Sequence, residues 1–296
     1  MTQKKLLLIF NPRAGRSKSR LPLFNAAAVF SEAGYLLSIH KTTAPGDAAR
    51  TAAARGGDFD LVVAVGGDGT LNEVVSGLMT LENPPLLGYL PQGSTNDFAT
   101  SLSISGNPET AAENMMSKAV PKPLDIGRWC DRNFVYVASF GAFVRSSYSA
   151  PQSAKNALGH FAYILEGMKD LNTLRPYHVK LTADDEVLDG EYLFGAVCNS
   201  TSIGGLMKLD PQRVVLNDGK FELLLIPAPK TPMQLQNLVL ALLNQQYDRE
   251  GIIFRHISRL HLETAESLPW SLDGECAPSR SSVDVENLPH ALRMLL

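Results

Sequence analysis

The chain has 296 residues, 45% of them hydrophobic and 19% charged, with a formal net charge of −3. A chain of about 300 residues buries roughly three quarters of its unfolded surface, and its length suggests about two domains. The composition excludes a disordered, collagenous or membrane-embedded chain, and no apolar run approaches the ~20 residues of a spanning helix. The charge is uneven: residues 1–31 hold Lys4, Lys5, Arg13, Arg16, Lys18 and Arg20 and no acid, so the rest is net acidic. A basic, acid-free start can mark a transit peptide, but Leu6-Leu7-Leu8-Ile9-Phe10 reads as the first strand of a sheet. Cys130, Cys198 and Cys276 show no C-x-x-C pairing, which fits a reducing compartment and argues against a disulfide framework or a cysteine zinc site. His256 and His261 lie on opposite faces of an alternating segment, so ordinary surface or core roles are expected of both.

In chain order, Lys5–Phe10 reads as a strand, 21–34 as a helix ended by its glycine, 36–40 as a strand and 48–55 as an Ala-rich helix. Residues 61–65 form a third strand, 71–80 a helix and 86–90 a fourth strand. Strands separated by single helices predict an α/β, Rossmann-like parallel-sheet nucleotide domain over residues 1–123. Ligands of such sheets bind beyond the carboxyl ends of the strands. From residue 124 the pattern changes to strands at 125–129, 133–140, 178–182, 192–198, 213–216, 220–227, 252–264 and 267–272. Helices are expected at 156–171 and 233–244. These predict a β-rich, sandwich-like domain over 124–287, with 288–296 free to return to the first domain.

Three turns at strand ends carry the candidate chemistry. Gly66-Gly67-Asp68-Gly69-Thr70-Leu71-Asn72-Glu73 joins the third strand to its helix. Glycines let the backbone approach a ligand, and the N–H groups and dipole of a helix start favour a phosphate. Asp68 would repel that phosphate unless a magnesium ion or a transferable proton offset it. Gly93-Ser94-Thr95-Asn96-Asp97-Phe98-Ala99 follows the fourth strand, with hydroxyls and a helix-capping Asn-Asp pair. Asn11-Pro12-Arg13-Ala14-Gly15 turns after the first. Each alone is an ordinary turn; three at the ends of adjacent strands describe a nucleotide cleft. Asp273 and Glu275 flank Gly274, so either could accept a proton from a hydroxyl nucleophile, although Asp273-Gly274 is also a plain hairpin turn.

Gly66-Gly67-Asp68-Gly69-Thr70 alone is shared by phosphofructokinases, NAD kinases, sphingosine kinases and diacylglycerol kinases. Its combination with the other two loops, Leu124-Asp125-Ile126-Gly127 and Leu272-Asp273-Gly274-Glu275 resembles the diacylglycerol kinase catalytic-domain family. Within that family it is most similar to the soluble bacterial lipid kinases.

The resemblance implies ATP contacts at Asn11, Pro12, Arg13, Ala14, Gly15, Thr42 and Gly66 through Glu73, that is Gly66, Gly67, Asp68, Gly69, Thr70, Leu71, Asn72 and Glu73. Thr43 leaves the Thr42 assignment open by one residue, and Ser94, where threonine is usual, completes the set. It implies an acidic network of Asp68, Asp97, Asp125 and Glu275 around an active-site Mg2+, with Glu275 favoured as base, Asp273 second and Asp68 also catalytic. A further, structural Mg2+ or Ca2+ is implied at Val215, Asp218 and Lys220, where Asp218 is the one carboxylate. The activity implied is ATP- and Mg2+-dependent phosphorylation of the hydroxyl of diacylglycerol or a related glycerolipid. Phosphatidylglycerol and sphingoid acceptors, NAD kinase activity and a non-catalytic nucleotide- or lipid-binding role stay open. The expected partners are ATP, a glycerolipid and an anionic membrane surface, with Arg13, Arg16, Lys18 and Arg20 available either to that surface or to ATP phosphates. Nucleic acid is not among them, and a homodimer stays open. The expected location is cytoplasmic, peripheral at the inner face of the membrane.

Overall fold

In the computed structural model of the chain, residues 3–14, 21–141, 175–203, 207–244, 246 and 251–296 are described. Gly15, Arg16, Lys18, Arg20 and the helix expected at 156–171 lie outside them. The chain packs as two compact units, Met1–Ile126 with Pro289–Leu296, and Gly127–Leu288.

The first unit runs β1 (Lys5–Phe10), α1 (Leu21–Glu32), β2 (Leu36–Lys41), α2 (Asp47–Arg55), β3 (Leu61–Gly66), α3 (Asp68–Leu78), β4 (Leu86–Pro91), α4 (Asp97–Ser101) and α5 (Pro108–Ser117). The strands pair in the order β2-β1-β3-β4, all parallel. All six residues of β3 are buried. Burial on both faces explains why β1, β3 and β4 read as apolar runs instead of alternating ones, whereas β2, at the edge, is exposed at Leu36 and Ile39. Leu6, Leu8, Val63 and Val65 join Phe30 of α1 and Ala112 of α5 in one core cluster, while α2 and α3 pack on each other. Asn107 caps α5, its Oδ1 accepting the N–H groups of Glu109 and Thr110, with Pro108 in the first turn. Residues 289–296 cluster with this unit: Met294 pairs with Leu87, and Val120 and Leu296 exchange backbone hydrogen bonds.

β5 (Pro121–Trp129) leads the chain into the second unit. There follow β6 (Arg132–Phe134), β7 (Val137–Gly141), β8 (Tyr177–Ala183), β9 (Glu186–Cys198), β10 (Ser202–Ile203), β11 (Met207–Lys208) and β12 (Phe221–Pro227). The remaining elements are α6 (Pro232–Leu243), β13 (Ile253–Ile257), β14 (Arg259–Leu272) and β15 (Glu275–Leu295). The strands are antiparallel in the order β13-β12-β9-β7-β14-β15, with β8 bridging β9 and β14. Trp129, Trp270, Phe134, Phe140 and Phe221 fill the core, the two indoles 5.7 Å apart and tilted.

Three strand expectations are corrected. The strand expected at 133–140 breaks at residues 135 and 136, because a carboxylate from elsewhere takes the backbone N–H groups there. The strand expected at 252–264 breaks at Ser258, whose N–H is held by both carboxylate oxygens of Asp184 at 3.1 Å. His256 and His261 therefore sit on separate strands, β13 and β14. Residues 213–216 are not a strand: Asp210 closes a turn by accepting the N–H of Gln212 at 2.9 Å and, through its carbonyl, that of Arg213 at 2.9 Å.

Candidate active site

In the first unit the three loops are locked to one another. Asn11 donates from Nδ2 to Thr70 Oγ1 at 3.0 Å, and its Oδ1 accepts the Arg13 N–H at 2.9 Å, so one carboxamide shapes the first loop and ties it to the second. Gly66 ends β3 and Gly67 is the N-cap of α3, so Asp68 to Glu73 lie in the first turns of that helix. Of these, Leu71 points into the core. Asp68 reaches the other way: its carboxylate accepts the N–H groups of Asp97 and Phe98 at 3.1 and 3.4 Å, capping α4. Gly67 and Gly93 meet backbone to backbone, for a Cβ on Gly67 would lie 3.1 Å from the Gly93 Cα. Ser94 and Thr95 are exposed at the tip of the third loop.

Several candidates prove to be braces. Glu73 accepts the N–H groups of Gly46 and Ala48 at 2.8 and 3.1 Å, tying the start of α2 to α3. Thr43 spends its hydroxyl and N–H on Asp47 at 3.0 and 2.8 Å, whereas Thr42 lies buried just past β2. Asp97 and Asp125 are buried, and Asp125 accepts the His290 N–H at 2.7 Å. A cavity of about 330 Å³ opens at the ends of β1, β3 and β4, lined by Phe10, Pro12, Leu23, Val65, Gln92 and Asn107.

In the second unit Asp273 and Gly274 both have positive φ, 48° and 81°, as the two-residue turn between β14 and β15 requires. The Asp273 side chain folds inward. Its oxygens accept the N–H groups of Val135, Tyr136 and Val137 at 2.7, 2.9 and 3.0 Å, which breaks the strand expected there. Glu275, two residues on, is exposed at the head of β15. In the turn at 215–220, Asp218 is exposed and its Oδ1 accepts the Lys220 N–H at 3.0 Å, while Gly219 takes a φ of 77°.

Residues 5–129 match the model of the diacylglycerol kinase catalytic domain, and residues 137–296 that of the YegS C-terminal NAD kinase beta sandwich-like domain. The chain belongs to the diacylglycerol kinase catalytic-domain family. It is 37% identical over 275 residues to a diacylglycerol kinase of Bacillus subtilis (strain 168), covering 92% of this chain and 90% of that one. A diacylglycerol kinase of Staphylococcus epidermidis is 30% identical over 274 residues, covering 92% and 86%. The crystal structure of a diacylglycerol kinase from Bacillus anthracis superposes with a TM-score of 0.82 at 26% identity, over 100% of this chain and 98% of that one. As a member of this lipid-kinase family the chain is an enzyme, a phosphotransferase with an alcohol group as acceptor.

Two residues, Tyr89 and Glu222, were not singled out from the sequence, and Asn96, read there only as part of a helix-capping pair, has a further part. Tyr89 is fully buried, its hydroxyl 3.3 Å from the Gly66 carbonyl and 3.5 Å from Asn96 Oδ1. Burial, with the charges of Asp68 and Asp97, pushes its phenol far up, so it stays protonated and donates. Asn96 holds Gly93 by two hydrogen bonds, accepting its N–H at 2.8 Å and donating to its carbonyl at 3.1 Å. Glu222 is 1% exposed, and burial pushes its carboxyl up to about 8. A polar residue inside an apolar strand run, as in Leu-Leu-Gly-Tyr89-Leu and Phe-Glu222-Leu-Leu, was the available signal for two of them.

Proposed function

We propose that the chain is an ATP- and Mg2+-dependent lipid kinase that transfers the γ-phosphate to the hydroxyl of diacylglycerol or a related glycerolipid. The observation that carries this reading is the interlock of the Asn11, Gly66–Glu73 and Gly93–Asn96 loops around the N-terminus of α3, which offers N–H groups and helix dipole to phosphates. The names of the relatives, diacylglycerol kinases over nearly their whole length, supply the acceptor class.

Phosphoryl transfer needs positioning and charge neutralisation more than covalent chemistry. Thr42 and Ser94 are the hydroxyls offered to ATP, and Asn11 sets the first loop against Thr70. Asp68, Asp97 and Asp125 are hard oxygen donors of the kind Mg2+ takes. Among the described residues no three His, Cys, Asp or Glu side chains form a ready-made metal group. The fit is therefore to an ion that arrives with nucleotide phosphates, as Mg2+ commonly does. Bound there, Mg2+ would offset the charge developing on the transferred phosphoryl group. Glu275, exposed and next to a rigid turn, is the base for the lipid hydroxyl. Asp273, whose oxygens already accept three backbone N–H groups, holds that turn.

Asp218, with the carbonyls of Val215 and Lys220, fits a structural Mg2+ or Ca2+ by the same oxygen chemistry. Arg13 is exposed beside the first loop and is one of the basic groups proposed to meet an anionic membrane from the cytoplasmic side. No helix among the described residues is long and apolar enough to cross a membrane.

The test is phosphate transfer from labelled ATP over a panel of diacylglycerol, phosphatidylglycerol, sphingoid lipids and NAD. Mg2+-dependent labelling of diacylglycerol supports the reading. Transfer only to NAD, or to nothing, overturns it.

A further inference from the structure

Glu222, the second residue of β12, is 1% exposed, and among the described residues neither of its carboxylate oxygens has a hydrogen-bond partner. Native structures seldom leave a buried carboxylate so, because loss of hydration goes uncompensated; where they do, a water or an ion is the usual completion. On the ladder Glu222 lies between Cys198 of β9 and His256 of β13. Neither neighbour completes it. The His256 Nε2 is 3.8 Å from Glu222 Oε1 but only 2.9 Å from the Arg213 carbonyl, which can only accept, so the imidazole N–H is committed there. The Cys198 thiol is buried and is pushed further toward its neutral form by Glu222 itself.

What lies over this face is the segment leading into the 215–220 turn. The Arg213 carbonyl rests on His256, and its guanidinium stands 4.6 Å over the Phe254 ring. The Gly219 carbonyl accepts the Ser258 hydroxyl at 3.1 Å, and the Asp218 Oδ1 accepts the Lys220 N–H at 3.0 Å. The turn runs directly into β12, whose second residue is Glu222, so the turn and the buried carboxylate belong to one corner of the second unit.

We propose that Glu222 is the second carboxylate of a divalent-cation site at the 215–220 turn. This rests on the metal reading of that turn given above and goes beyond it. Val215, Asp218 and Lys220 bring a single formal charge to the ion, and Glu222 brings another from beneath. Two carboxylates with backbone carbonyls are hard oxygen donors, which favour Ca2+ or Mg2+ over a transition metal.

The experiment uses the full chain, nucleotide-free and stripped with EDTA, titrated calorimetrically with CaCl2 and with MgCl2 while melting is followed in parallel. Wild type is compared with D218N and E222Q. The expected result is a saturable isotherm that D218N abolishes and E222Q weakens about tenfold or more. In EDTA, E222Q is expected to melt no lower than wild type, because the amide carries no charge to bury, whereas saturating cation raises the wild-type Tm more. An isotherm lost in D218N but unchanged in E222Q overturns the role of Glu222 and leaves the metal turn standing. No D218N-sensitive isotherm overturns both. An E222Q variant melting well below wild type in EDTA also overturns the proposal, since the carboxylate would then have a partner in the cation-free protein.

Discussion

A Cβ built on Gly93 would stand 2.6 Å from the Cα of Gly67 and 2.6 Å from Asn96 Oδ1. The second and third loops thus meet at a point where neither can carry a side chain without moving the other. Gly93→Ala is predicted to separate them, lowering kcat/KM for ATP by about 10²-fold, the cost of a displacement near 1 Å in a reacting geometry. Overpacking itself costs about 1–3 kcal/mol, so the protein should still fold. Steady-state kinetics set beside a thermal melt checks this; unchanged kcat/KM would show that the loops do not act as one site.

Asp273 and Glu275 should separate in their effects. Glu275→Gln leaves an exposed side chain of the same size and is predicted to lower kcat by about 10²-fold or more, as loss of a general base does, with no change in Tm. In Asp273→Asn a single carbonyl oxygen replaces two carboxylate oxygens that accept three buried N–H groups. Each N–H left unmet costs about 1–3 kcal/mol, so a clear drop in Tm accompanies any loss of rate. A normal kcat in Glu275→Gln, or a wild-type Tm in Asp273→Asn, would reverse these roles.

The inner parallel strands of the first unit were legible to within about a residue, because strands buried on both faces are written as short apolar runs, as in Leu61–Gly66. What could not be read were interruptions imposed from far away. Nothing local in 133–140 announces that Asp273, more than a hundred residues later, takes the N–H groups of residues 135–137, nor in 252–264 that Asp184 holds Ser258. The same holds at the site. The positions of the loops follow from sequence, but whether a carboxylate such as Glu73 stands free or braces Gly46 and Ala48 depends on a partner that only the fold supplies. Glu222 is the extreme case: its apolar strand announces burial and says nothing of what meets the charge.

His261 carries a pH dependence of predictable sign. Its Nδ1 is 2.7 Å from Asp284 Oδ1 and its Nε2 3.5 Å from Glu263 Oε1, on the face shared by β14 and β15. The hydrogen bond to Asp284, then that to Glu263, holds its pKa above the ordinary 6.5. A raised histidine stabilises the fold fully below the unfolded value, and that contribution is lost as pH rises through the folded one. With all three side chains well exposed, the effect stays within the ~0–1 kcal/mol of a surface pair. Urea midpoints of wild type and Asp284→Asn, compared between about pH 5.5 and 9, should differ most at the acid end and converge at the alkaline end. A gap that widens with pH would contradict the assignment.

Asn96 combines two jobs that substitution can divide. Its backbone is left-handed, φ 52° and ψ 53°, and its carboxamide makes both hydrogen bonds to Gly93. Asn96→Gly keeps the backbone conformation without strain and loses only the carboxamide, at about 0.5–1.5 kcal/mol per bond. Asn96→Ala loses the carboxamide and also forces a Cβ into the left-handed region, a further ~1–2 kcal/mol. Glycine entropy in the unfolded chain narrows that gap to about 1 kcal/mol. Stability is therefore expected to fall in the order wild type, Asn96→Gly, Asn96→Ala. Ser94 sits between Gly93 and Asn96, so both variants unbrace its hydroxyl, and the KM for ATP should rise in both by similar factors. If KM instead tracks stability, rising only in the alanine variant, then backbone strain and not the carboxamide clasp sets the position of Ser94.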